Sequence, residues 1–548
     1  MVPLSSFLLV ALASAKCFEP TIAHPPPRYN AGDPLLQDAF ESIDTALIAA
    51  VAAPEFDRTS FSVEITSSKD TLWSHHHTAR ERNASRPDIP EVNGDALYRI
   101  ASITKTFTVL GILYQHAAGN LSLDATVNTY LKELGDKSNG GIPWKDITLR
   151  SLASQLSGLP RECKMSSGKK QNLFAVCHTD EDMFRQLKKF APLFAPNQES
   201  SYSNVAFELL GLVLSRVANQ TYETYIDEAI FKPLNMSTST LSKPADSAGV
   251  IPAGPQFWGV DEGIQNPTGG IYSSSNDLSK YLRYILTHYN AITHAVNWLH
   301  PVSSSRGLNS FYGMPWEIYQ TDRILEQSKR TVRFVTKSGG LPGYTSIIIT
   351  VPEYDLGITI LVAGPNAILS KIMDIVTVKI VHAAEKLAIQ QMRNRYAGTY
   401  SASDPEVNST ATLRADYRGL VVTTFVSNGT VVFEAPITKD ATSPPRYAQL
   451  SPTLLYRNEE EQDGEEWRAL IVEERAEGLG SIWDDFCVED WEMSSYAGIP
   501  LNTAVFWDEQ KDGHFETLEL PAFRVNLTRV DQKRGSNGKY GQQETMEL

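Results

Sequence analysis

Cysteine is scarce, basic residues are outnumbered by acidic ones, and past the N-terminal segment no apolar run is long enough to cross a bilayer. A spanning helix needs roughly 20 consecutive apolar residues, so the sequence offers none. Lys and Arg number 49 against 64 Asp and Glu, a formal charge of -15. That balance repels polyanions, which argues against nonspecific nucleic-acid binding, and it leaves no basic patch for an anionic membrane surface. Cys17, Cys163, Cys177 and Cys487 are too widely separated to form a metal cluster, so neither a metal nor a cofactor is expected. Acidity alone names no substrate.

The N-terminus lacks the positive residues that usually open an export signal. Residues 7–12 are nevertheless a short apolar core, and Ala13-Ser14-Ala15 is a small-residue cleavage site before Lys16. Residues 1–15 are therefore read as a signal peptide, and the mature chain as secreted or held in the secretory lumen. All four cysteines follow that point, as an even set with three pairings. Cys163 with Cys177 would clip a short polar loop, and Cys17 with Cys487 would tie the N-terminus to the last domain; the alternative is four buried thiols. Seven N-x-S/T sequons, at Asn83, Asn120, Asn219, Asn235, Asn408, Asn428 and Asn526, suggest a eukaryotic glycoprotein.

Chemistry enters at Ser102-Ile103-Thr104-Lys105, at the head of an apolar helical stretch. Residues three apart share a helix face, so Ser102 and Lys105 can enter one cavity while Phe107, Val109, Leu110 and Leu113 pack the helix. A serine hydroxyl is a weak nucleophile. A desolvated Lys105 would have a lowered pKa, and its neutral amine could then take the serine proton. The tetrad alone is a weak signal, equally readable as a capping serine beside a surface lysine. Its context changes the reading.

Residues 98–108, around Ser102, resemble the nucleophile segment of the serine beta-lactamase and penicillin-binding-protein superfamily, in particular its class C-like esterase and peptidase branch. The likeness continues in order. Leu152 to Pro160 resembles the helix end before the active-site loop, with Gln155 where a histidine is common. Tyr202-Ser203-Asn204 matches the Y-x-N motif, and residues 267–278 match a further segment. Lys337-Ser338-Gly339-Gly340 matches the third motif, with lysine where many esterase-like members have histidine. The resemblance implies Ser102 as nucleophile, Lys105 as its orienting base and Tyr202 as proton relay. It further implies Asn204 as an amide-binding or lysine-orienting residue. Lys337 would stabilise basic Tyr202 and attract a substrate carboxylate. Substrate binding would involve Ser338, Gly339 and Gly340, with the N–H groups of Ser102 and Gly340 forming an oxyanion hole.

At 548 residues, two or more domains are expected. Residues 60–66 and 95–99 read as strands, 103–118 as a helix, and 200–217 as a helix entered at Tyr202. Residues 344–351 and 357–362 read as a hairpin joined at 352–355, followed by a long helix over 367–392. The expected fold is a mixed α/β (α+β) catalytic domain over 16–392, of the beta-lactamase/transpeptidase type, with helices around an antiparallel sheet. From 393 to 548 short alternating runs at 419–424, 430–435, 467–472, 504–507 and 515–520 predict an all-β barrel or sandwich, and the acidic stretch 459–466 a solvated hairpin tip. Tyr396-Ala397-Gly398-Thr399-Tyr400 resembles the opening of the small lipocalin-like β domain found in fungal secreted members.

The function expected is a serine hydrolase forming an acyl-enzyme on a small ester, lactone or amide, for instance in secondary-metabolite processing. An acyltransferase or cyclase would use the same intermediate. A non-catalytic binding protein is the third reading, though it has no chemical need for Ser102, Lys105, Tyr202 and Lys337 together.

Overall fold

The computed structural model describes residues 22–83, 86–135, 141–163, 177, 179–293, 298–365, 368–434, 446–473 and 494–530. The expected signal peptide, and the expected Cys17–Cys487 pair, lie outside the described residues. The chain forms two compact units, one over Pro26–Glu326 and Thr331–Lys386, the other chiefly from Leu387 onward.

The first unit is built on an eight-stranded antiparallel sheet. Its strands are β1 (Ser60–Thr66), β2 (Thr71–His77), β3 (Ser303–Ser304), β4 (Ser310–Tyr312), β5 (Glu317–Thr321), β6 (Val332–Leu341), β7 (Tyr344–Val351) and β8 (Leu356–Ala363). The spatial order is β2-β1-β8-β7-β6-β5-β4-β3, so strands from both ends of the unit share one sheet. The β7–β8 hairpin runs from Tyr344↔Ala363 to Val351↔Leu356, with the turn closed by Asp355 at φ 51°. Every residue of β8 is buried, as suits a strand that is apolar except for Thr359 and is covered on both faces.

Helices cover that sheet through apolar stripes. Helix α1 (Pro34–Ala50) begins with Asp33 accepting from Leu35 N–H, and buries Leu36, Phe40, Ile43 and Leu47 on one face. Phe40 stacks on Trp73 of β2 at 5.9 Å. Helix α2 (Thr104–Ala117) is buried throughout residues 104–113, which is why its polar side chains all need internal partners. Thr108 Oγ1 donates to Pro267 O at 2.6 Å, tethering α2 to the 267–270 segment. Helix α3 (Val205–Ala218) lies close against α2, since a Cβ on Gly111 would come within 2.8 Å of Leu214. Helix α4 (Ser275–Thr293) packs on β1 and β8.

Two boundaries differ from expectation. The helix expected from residue 200 starts at Val205, because Gln155 takes up the N–H groups of Ser201 and Ser203. The strand expected over 95–99 contracts to Tyr98–Arg99, paired only with Tyr272–Ser273, because Ala96 N–H closes a turn onto Asn93 O.

The second unit is a closed antiparallel barrel. Its strands are β9 (Gly398–Ser401), β10 (Thr410–Asp416), β11 (Gly419–Ser427), β12 (Thr430–Glu434), β13 (Arg446–Asn458), β14 (Asp463–Glu473), β15 (Thr503–Glu509), β16 (Phe515–Leu520) and β17 (Val525–Arg529). Successive strands are neighbours, except that β13 joins β11 directly and β12 adds to the far end of β11. Tyr400↔Arg529 and Ser401↔Thr528 close β17 onto β9, which removes the free edges of an open sheet. Helix α5 (Ile368–Arg395) precedes the barrel. Tyr396, Trp467, Phe506 and Phe515 cluster inside, with centroid distances of 4.8 to 5.2 Å around Tyr396.

The acidic run corrects the sequence reading. Only residues 459–462 form the turn, whereas 463–466 belong to β14, and Glu465 is buried at 7% exposure. Tyr396 OH donates to both Glu465 carboxylate oxygens at 2.9 and 3.0 Å, and Trp467 Nε1 adds a bond of 3.1 Å. A carboxylate held by two donor groups, the Tyr396 hydroxyl shared between its oxygens and the Trp467 N–H, is sustained inside a barrel.

Candidate active site

Ser102 sits in a single 3-10 turn, Ala101–Ile103, that runs into α2. Ala101 before it has φ 49°, a left-handed backbone that a non-glycine residue adopts at a cost and that the surrounding packing must hold. The turn aims Ser102 Oγ out of the helix start. Lys105 Nζ donates to that oxygen at 3.0 Å and to Thr268 O at 2.9 Å. Tyr202 OH donates to the same oxygen at 2.8 Å. Two residues 97 positions apart in sequence thus converge on one hydroxyl, through α2 and the segment before α3.

That segment is fixed by Gln155, itself at φ 60°. Its carbonyl accepts from Ser201 N–H at 2.8 Å and its Oε1 from Ser203 N–H at 2.7 Å, so both neighbours of Tyr202 are held by one residue. Gln155 therefore takes up backbone donors that would otherwise be unpaired in a buried loop.

Lys337 lies on β6, with Nζ 5.4 Å from the Tyr202 ring centroid, on a ring that Lys105 Nζ also approaches at 5.1 Å. Its main partner carries no motif of its own. Glu317, at the start of β5, accepts from Lys337 Nζ at 2.6 Å, from Ser338 N–H at 3.0 Å and from Ser338 Oγ at 2.6 Å. A lone acidic residue after Pro315-Trp316 carries no motif, and only the β5–β6 register, Glu317↔Thr336, puts it beside Lys337.

That register also ends there, leaving Lys337 to Leu341 beyond the end of β5. Ser338 N–H points to the β5 side, and alternation along a strand then points Gly340 N–H the same way. Gly339 lies directly against the serine turn: a Cβ there would meet Ile100 O at 2.2 Å and Ser102 N at 3.1 Å. A Cβ on Gly340 would meet nothing within 4 Å, so that position faces open space. Ser346 Oγ locks the turn to β7 by donating to Ile100 O at 2.9 Å.

Asn204 does not bond Lys105. Its Nδ2 donates to Glu162 Oε1 at 2.6 Å, and its buried Oδ1 has no hydrogen-bond partner among the described residues. Glu162, beside the disulfide, is a further residue that sequence reading passed over, as is Arg161, whose guanidinium lies 4.9 Å from the Tyr202 centroid. The Cys163–Cys177 disulfide is present, with Cα atoms 6.0 Å apart. A disulfide suits the oxidising environment of the secretory route.

The electrostatics follow from burial and these charges. Burial lowers the Lys105 pKa and the Lys337 charge adds to this, with Tyr202 opposing. Burial alone would raise Tyr202, but Lys105, Lys337 and the Ser102 hydrogen bond outweigh it and bring the phenol down to about 8. Lys337 itself is held above its ordinary value, because the Glu317 charge overcomes its burial; Glu317 is held below its own for the reciprocal reason. Burial raises Glu162.

Of the seven sequon asparagines, Asn83 is half-buried and the other six are exposed. Among the described residues no group of three or more His, Cys, Asp or Glu could hold a metal ion, and no helix is long and apolar enough to cross a membrane.

Residues 49–378 match the family model described as Beta-lactamase, and residues 388–531 match that described as Beta-lactamase-like-like, C-terminal domain. The chain is 30% identical to Probable hydrolase M10 of Phoma sp. over 91% of this chain and 89% of that protein. It is 28% identical to the Beta-lactamase-like protein of Arthroderma benhamiae over 90% and 92%. Both relatives are fungal and extend through the barrel. A Beta-lactamase/D-alanine Carboxypeptidase from Yersinia pestis, solved with citrate, shares the catalytic fold at TM-score 0.51 and 21% identity, over 63% of this chain and 98% of that one. With that fold, a full-length fungal relative and a family match spanning most of the chain, this protein belongs to the beta-lactamase family and carries its serine-hydrolase-type catalytic domain.

Proposed function

We propose that the protein is a serine hydrolase that cleaves a small ester, lactone or amide through an acyl-enzyme on Ser102. The observation that carries this reading is the convergence of Lys105 Nζ and Tyr202 OH on Ser102 Oγ, at 3.0 and 2.8 Å. Both lie within the reach that proton transfer demands. In acylation Oγ forms a bond to the substrate carbonyl carbon while its proton passes to basic Tyr202 or to Lys105, each in direct contact with it. The carbonyl–leaving-group bond then breaks, and the same pair returns the proton to the departing oxygen or nitrogen. Water adds to the acyl carbon in the second half, giving up a proton to the pair, and the acid and free Ser102 are released.

The developing oxyanion is assigned to the N–H groups of Ser102 and Gly340, which the serine turn and the uncovered edge of β6 bring into play. Asn204 keeps the substrate-side assignment that the Y-x-N resemblance implies, with its Nδ2 held by Glu162. Residues 1–15 as a signal peptide, a catalytic domain ending near 392 and glycosylated surface asparagines complete the reading as a secreted enzyme. The meander of neighbouring strands closed from β17 to β9 supports a lipocalin-like description of the barrel. The test is turnover of p-nitrophenyl butyrate by the parent and by a folded Ser102→Ala form. Turnover by the parent that vanishes in the variant supports the reading; equal turnover by both refutes it.

A further inference from the structure

The two lysines beside Ser102 are each spoken for. Lys337 is 1% exposed, and its ammonium is bound by Glu317 at 2.6 Å and by Ser338 O at 2.8 Å. Glu317 in turn takes both donors of Ser338, so its carboxylate is fixed in place and cannot swing away to release the lysine. Arg161, whose side chain is 68% exposed, lies 3.6 Å from Glu162 and on the Tyr202 ring, so its charge stays solvated. Lys105 is fully buried and spends its donors on Ser102 Oγ and Thr268 O, where a protonated amine is disfavoured by burial. The buried part of the described site thus holds one cation–carboxylate pair, Lys337 with Glu317, and one amine, Lys105.

We infer that the acyl group accepted by this site is uncharged: Glu317 cancels Lys337, so a neutral ester or lactone is preferred to a substrate bearing a carboxylate on its acyl side. A carboxylate brought to Lys337 meets Glu317 as a like charge and loses its hydration without gaining an unpaired cation. A neutral acyl group carries no such penalty. Glu317 is accordingly a specificity-determining residue, and Lys337 acts on Tyr202 rather than on substrate. This rests on the acyl-enzyme reading above.

The test compares two substrates that differ in one group, the mono-p-nitrophenyl ester of adipic acid and the same ester with its far carboxylate replaced by carboxamide. The parent is expected to favour the carboxamide in kcat/KM by roughly tenfold or more, the scale of one uncompensated charge contact. Glu317→Gln, which keeps the shape and frees the lysine charge, should bring the ratio close to one, while Glu317→Asp retains the preference. A parent that hydrolyses the carboxylate ester equally well or better overturns the inference, and this arm needs no variant to fold. An unchanged ratio in folded Glu317→Gln overturns the role of Glu317. Failure of both esters to acylate Ser102 instead removes the hydrolase reading, and the charge inference with it.

Discussion

Replacing Lys337 with methionine removes one of the two cations that hold the Tyr202 phenol at about 8. Lys337 Nζ is 5.4 Å from the ring centroid. At an effective dielectric of about 20, unit charges about 5 Å apart interact by ~3 kcal/mol. One pKa unit corresponds to ~1.4 kcal/mol, so the full lysine contribution is about two units. If Glu317 takes up a proton once its partner is gone, its opposing charge disappears too and the net rise falls to about one unit. The sign is the same in both cases: losing a positive neighbour disfavours the phenolate and raises the pKa. Because the basic form accepts the serine proton, kcat/KM climbs with pH through this ionisation, and Lys337→Met should move the climb upward by about one to two units. Glu317→Gln removes a negative neighbour and should move it downward. The assay is a kcat/KM profile with p-nitrophenyl butyrate from about pH 6 to about pH 10. An inflection that stays in place, or falls, in folded Lys337→Met refutes the proposed coupling.

Lys105→Ala should lower acylation by roughly 10²- to 10⁴-fold, the range for a positioned acid–base group, measured by single-turnover nitrophenol release against a surface-lysine control. Gly339→Ala places a methyl 2.2 Å from the Ile100 carbonyl, which is backbone and cannot rotate aside. It should destabilise by about 1 to 3 kcal/mol and lower acylation, read by denaturant unfolding beside the esterase rate. Reducing Cys163–Cys177 opens a loop whose ends are 14 positions apart and should cost about 3 kcal/mol, seen as a lower Tm.

Much of the site was legible in the sequence because its parts are short and local. Ser102 and Lys105 belong to one helix start, and Tyr202 and Lys337 to motifs whose spacing survives in the chain itself. Strands such as Leu356–Ala363 were readable because a short, largely apolar run between turn residues has few other ways to be buried. What escaped was set by register and long-range packing. Glu317 is an ordinary acidic residue until β5 pairs with β6, and Glu162 until Asn204 reaches it across 42 positions. Glu465 looked like part of a solvated acidic tip, yet side-chain alternation along β14 turns it inward to Tyr396 and Trp467. The late start of α3 likewise reflects Gln155, whose contacts with Ser201 and Ser203 no helical propensity anticipates.

The covalent intermediate is the most direct test. The protein, mixed with excess p-nitrophenyl butyrate and quenched in acid within the first turnover, is analysed by intact mass and by peptide mapping. The account predicts a single butyryl adduct, mapped to Ser102 in the peptide containing Lys105, and absent from Ser102→Ala. Ester turnover with no adduct on Ser102, or an equal adduct in Ser102→Ala, would contradict it.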